Sequence, residues 1–139
     1  MVFVTDRTEA DVLLGTAKGK YRAEDLNRVE SAVQELCILA HKLDIHVDLI
    51  TKTDWSGPGA FAAGNWPTQT QLIRYLENVV TLCEHFPNEV KLPTSMEKLD
   101  FRGANAIEQA LEYVYNRVTA VLSIYRFSGE LYAGEEFSL

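Results

Sequence analysis

Three stretches of this chain place apolar residues at steps of three and four, and that rhythm limits what it can become. From Ala23 to Leu43 the positions are Leu26, Val29, Val33, Leu36, Ala40 and Leu43. From Thr68 to Phe86 they are Leu72, Leu76, Val79, Cys83 and Phe86, and from Ala104 to Phe127 they are Ala104, Ile107, Leu111, Val114, Val118, Val121 and Tyr125. Such spacing draws an apolar stripe down one face of a helix, and each stripe must be covered by another. Three stripes of similar length predict an all-α fold, a three-helix bundle with helices at about 23–43, 68–86 and 103–127. At 139 residues the chain is one domain of ordinary size, able to bury roughly 68% of its unfolded surface. The expected organisation is an N-terminal arm over 1–20, a helical bundle domain over 21–127 and a C-terminal arm over 128–139.

Punctuation agrees with this division. Pro67-Thr68-Gln69-Thr70-Gln71 reads as a capping box, with Thr68 as N-cap and Gln71 three residues on. Thr94-Ser95-Met96-Glu97 repeats the signature for a short turn before the third helix, and Pro87 stops the second. The first helix starts more weakly, because Ala23 stands where Ser or Thr is expected. Leu26-Asn27-Arg28-Val29-Glu30 aligns with Ala104-Asn105-Ala106-Ile107-Glu108. Asn and Glu three apart share a helical face and can bond across to a neighbour; duplication and similar surroundings explain the match equally well.

The ends differ from the middle. Val2-Phe3-Val4 precedes Thr5-Asp6-Arg7-Thr8-Glu9-Ala10-Asp11-Val12, a short capped helix. Phe127-Ser128-Gly129-Glu130 and Tyr132-Ala133-Gly134-Glu135 repeat an aromatic-small-Gly-Glu unit, expected as an extended arm or small hairpin with which Val2 to Val4 can pair.

With 13 basic and 20 acidic residues the charge has the wrong sign for a duplex binder, so no nucleic-acid partner is expected. No apolar run reaches the ~20 residues of a membrane span, so none is expected in a membrane. Cys37 and Cys83 fall on apolar helical positions, as reduced core residues or, alternatively, a bridge between adjacent helices. The stretch TKTDWSGPGAFAAGNWPTQTQ, residues 51–71, has glycines but lacks the lysine and Ser/Thr of a phosphate-binding loop. Trp55, Phe61 and Trp66 form either an aromatic platform for a sugar or protein, or a cap over the end of the bundle. His41, Asp44, His46 and Asp48 lie close together with no recognised metal-ligand spacing, and no metal or other cofactor is expected. No nucleophile motif appears, and no catalytic residue is assigned.

Several stretches together resemble a known group. They are Asp6-Arg7-Thr8-Glu9-Ala10-Asp11-Val12, Asp25-Leu26-Asn27-Arg28-Val29-Glu30, Thr51-Lys52-Thr53-Asp54-Trp55, Pro67-Thr68 leading to Arg74-Tyr75-Leu76, Gly103-Ala104-Asn105-Ala106-Ile107-Glu108, and Ser128-Gly129-Glu130-Leu131-Tyr132-Ala133-Gly134-Glu135. In this order they resemble a family encoded in the tail and baseplate gene modules of phages and prophages of Gram-positive bacteria. The resemblance covers most of the chain; Ser56 to Asn65 is longer and richer in Gly and Ala than the family pattern. It implies a virion structural protein of the tail, baseplate or fibre region, not an enzyme, made in the bacterial host cytoplasm. Its partners would be other virion tail or baseplate proteins, or further copies of itself. On that reading Phe3, Tyr132 and Phe137 anchor the arms, and Trp55, Phe61 and Trp66 form a second contact patch. An alternative is a carbohydrate-binding module for host wall polysaccharide using Trp55 and Trp66; a cell-wall hydrolase ranks behind both.

Overall fold

The computed structural model describes residues 1–56 and 67–131, with side chains described as far as residue 124. The regular structure among them is helical: α1 (Glu9–Leu14), a 3-10 turn (Ala17–Gly19), α2 (Ala23–Lys42), α3 (Gln69–His85) and α4 (Phe101–Leu131). Each of α2, α3 and α4 packs against the other two, and no described helix is long and apolar enough to cross a membrane.

The three long helices share one register. Counting from the residue that caps each (Arg22, Thr68 and Asp100) the seventh position is Val29, Tyr75 or Ile107, and all three are buried. Four residues later come Val33, Val79 and Leu111, and after three more Leu36, Leu82 and Val114, none more than 1% exposed. On α3 only Val79 belongs to the expected stripe, Tyr75 and Leu82 taking the places of Leu72 and Cys83, which are half-buried; on α2 and α4 these layers are the stripes seen in the sequence. Truncating one of them, as in Leu111→Ala, removes buried carbon and leaves a cavity, at a cost of about 2–5 kcal/mol.

The caps are built differently. Thr68 accepts from the Gln71 N–H while Gln71 accepts from the Thr68 N–H, the complete reciprocal box. Asp100 accepts from the Gly103 N–H at 2.8 Å and so starts α4 at Phe101. At α2 only the return half exists: Asp25 accepts from the Arg22 N–H at 2.8 Å. Thr8 and Asp11 make a full box at the start of α1. α1 ends at Gly15, whose φ of 68° is left-handed and suits a residue without a Cβ. Gly19 meets a different demand: a Cβ there would sit 2.1 Å from the Asp11 carbonyl oxygen.

The ends depart from expectation. α4 continues through Ser128 and Gly129 to Leu131, because adding turns to a helix already formed is far easier than nucleating one, even with a glycine present. An arm beginning at 128 is therefore replaced by helix as far as Leu131; the rest of it, 132–139, lies outside the described residues. Val2 to Val4 form no strand among the described residues. The Val4 N–H donates instead to the Glu108 carboxylate at 3.1 Å, so the N-terminal segment lies on its own helices.

Candidate functional site

The Asn-x-x-Glu pairs on α2 and α4 build the same device twice. On α4, Asn105 grips the backbone of Arg7 from both sides. Its Oδ1 accepts from the Arg7 N–H at 3.0 Å, and its Nδ2 donates to the Arg7 carbonyl at 2.9 Å. One turn on, Glu108 is fully buried and accepts from Arg7 Nη2 at 2.7 Å and from Arg28 Nε and Nη2 at 2.7 and 2.8 Å. Asp25 joins this cluster, 2.6 Å from Arg28 and 3.4 Å from Arg7. Two carboxylates thus face two guanidiniums, and the cluster is neutral.

On α2, Asn27 grips Trp55 in the same way, accepting from its N–H and donating to its carbonyl, each at 2.7 Å. Glu30, one turn on, accepts from the Trp55 indole N–H at 2.7 Å and from Arg74 at 2.5 and 2.9 Å. Arg74 Nη1 and Asn78 Nδ2 both donate to the Ile50 carbonyl at 2.8 Å, which ties down the approach to Trp55. Each gripped residue follows Thr-Asp, in Thr5-Asp6-Arg7 and Thr53-Asp54-Trp55. Each arginine stands six residues beyond the cap of its helix, Arg28 after Arg22 and Arg74 after Thr68. Salt-bridged carboxylates hold Arg28 and Arg74 more firmly protonated than usual.

The corresponding places on α3 and α4 are apolar. α3 carries Ile73 and Leu76 where the other helices carry Asn and Glu, and α4 carries Ala106 where they carry Arg. There the segment leading into α4 (Leu92, Pro93, Met96) faces Leu72, Ile73 and Leu76 across a groove of about 690 Å³. So each long helix is approached by one non-helical segment, two held by polar clamps and one along an apolar groove.

Between the clamps the Tyr21 and Tyr75 hydroxyls share a short hydrogen bond, with the Arg7 guanidinium 5.7 Å from the Tyr21 ring centre. Burial pushes both hydroxyls well above the usual tyrosine value of 10.0; for Tyr21 the charges of Glu108 and Asp25 add to this while the bond to Tyr75 opposes it. A hydroxyl held neutral by the fold contributes stability that is complete below the unfolded pKa and is lost as pH rises above it. Of the six tyrosines, Tyr21 and Tyr75 should therefore remain un-ionised in folded protein at about pH 11, read from absorbance at 295 nm. The urea midpoint should fall above about pH 10, less steeply in Tyr21→Phe.

The expected contact residues separate. Trp55 is 7% exposed and belongs to the core, so its indole is an internal anchor and not a stacking face for sugar. Phe3 is half-buried and packs on that core, its ring 6.3 Å from Tyr115. Phe61, Trp66, Tyr132 and Phe137 lie outside the described residues. Cys37 and Cys83 are free and half-buried, and burial raises both thiols. Each should react more slowly with a soluble disulfide reagent in folded protein than in urea, since the thiolate is the reactive form. No family model, curated protein or solved structure matches the chain.

Proposed function

We propose that the chain is a structural protein of a phage tail or baseplate, acting in assembly through protein-protein contacts and without catalysis. The observation that carries this reading is a coincidence of residues. Of the six stretches on which the resemblance rests, five supply the clamps: Arg7, Asp25 with Asn27, Arg28 and Glu30, then Trp55, Arg74, and Asn105 with Glu108. The shared sequence pattern is thus a pattern of internal architecture, as suits a part whose task is to hold shape. In this reading α2, α3 and α4 form a three-helix bundle, and Tyr132 and Phe137 remain the anchors of the C-terminal arm.

The described surface also offers a contact of its own. α1 buries none of its residues, and Val12, Leu13 and Leu14 are 47%, 80% and 79% exposed. Apolar side chains grouped on a short, capped projection suit docking on a neighbouring subunit. The test is to purify particles from the producing strain and assay them for this chain. It should be present, and the double variant Leu13→Asp/Leu14→Asp should drop out of particles with its helix content unchanged. Absence of the unaltered chain from particles, while it is abundant in the lysate, would overturn the assignment.

A further inference from the structure

The C-terminus of α2 turns back on itself and brings two histidines together. Ala40 accepts from the Ile45 N–H and His41 from the Asp44 N–H, both at 3.0 Å. This is the closing pattern usually completed by glycine, here with Asp44 at a left-handed φ of 61°. The turn carries His46 over His41, with ring centres 4.6 Å apart and planes at 80°. The two Nδ1 atoms face each other at 3.3 Å. On the outer side of each ring stands a carboxylate: Asp44 is 2.9 Å from His46 Nε2, and Asp48 is 3.4 Å from His41 Nε2.

An ionised carboxylate only accepts hydrogen bonds, so Asp44 and Asp48 suit an N–H at each Nε2. That leaves the two Nδ1 atoms turned toward each other, close enough to hydrogen-bond directly or to hold one metal ion between them. Tetrahedral coordination with metal–nitrogen bonds of 2.0–2.1 Å separates two nitrogen ligands by about 3.3 Å. A carboxylate on the far nitrogen is the usual companion of a metal-bound histidine, since it fixes the tautomer and strengthens the donor.

The geometry points to a two-histidine site for a borderline transition-metal ion such as Zn²⁺, Cu²⁺ or Ni²⁺, held by Nδ1 of His41 and Nδ1 of His46 and oriented by Asp48 and Asp44. Imidazole donors select these ions over Mg²⁺ and Ca²⁺. No cluster of three or more ligating side chains exists among the described residues, so water supplies the remaining positions.

Titrating the full chain with Zn²⁺ and with Cu²⁺ by calorimetry, in the presence and absence of excess Mg²⁺, tests this. One saturable site per chain is expected, unaffected by Mg²⁺. His41→Ala and His46→Ala should each weaken it by tenfold or more, and Asp44→Asn by about tenfold. Both histidines lie at the surface, with side chains 45% and 63% exposed, so these variants keep the fold, which circular dichroism verifies. Copper spectra of the bound state should show two nitrogen donors. Absence of saturable binding, or equal affinity in His46→Ala, would leave only the direct contact between the rings and overturn the metal site.

Discussion

Replacing Glu108 with alanine should cost the fold about 3–5 kcal/mol, the usual consequence of removing one partner from a buried ion pair. The magnitude follows from what stays behind. Arg7, with 3% of its side chain exposed, would lose its 2.7 Å partner, and Arg28 would lose both of its bonds to the same carboxylate. Asp25 alone would remain to neutralise two guanidiniums. The Val4 N–H would lose its acceptor as well. The loss is measurable as a lower urea midpoint with helix content retained before the transition. Glu108→Gln keeps shape and one acceptor, so it should fall between alanine and the natural residue. The network is not thereby a large net source of stability, because desolvating charges offsets much of their attraction. What it secures is position: residues 4–7 lie on α4 because Asn105 grips the Arg7 backbone one turn before the buried carboxylate that takes its guanidinium.

Arg74→Ala should be the second most damaging change, again about 3–5 kcal/mol. Glu30 has 1% of its side chain exposed and takes two bonds from Arg74, at 2.5 and 2.9 Å. Without them its charge would face the Trp55 indole N–H at 2.7 Å and the α3 core. Removing both members, as in Glu30→Leu with Arg74→Leu, should be milder than Arg74→Ala, since no buried charge is stranded. Fluorescence in a Trp66→Phe background isolates Trp55. Its emission should shift to the red in Arg74→Ala if the indole is released, and should hold in Leu111→Ala.

The helical body was legible because a stripe that repeats every three to four residues has few alternatives, and the buried layers Val33, Val79 and Leu111 are the stripes themselves. The Asn-x-x-Glu match was legible as a pattern, but its partners were not. Asn105 bonds to Arg7, and Glu108 to Arg28, across separations no local rule spans. A usable signal was present in the two arginines six residues past a cap and in the repeated Thr-Asp before Arg7 and Trp55. Trp55 misleads for a physical reason: a large aromatic beside glycines suits a surface platform as well as a core plug, and the deciding bonds come from another helix. α4 runs past Ser128-Gly129, a pair that resembles a stop, because a long packed helix tolerates one weak residue.

Amide hydrogen exchange, followed residue by residue, tests the central claim that paired Asn and Glu clamps bind two non-helical segments to the helical body. The amides of Val4, Arg7 and Trp55 lie outside helices, yet each donates to a clamp side chain. They should exchange about as slowly as amides in the packed middle of α4, opening only with the whole fold. Exchange of these three at the rates of free loops, while α4 stays protected, would contradict the account.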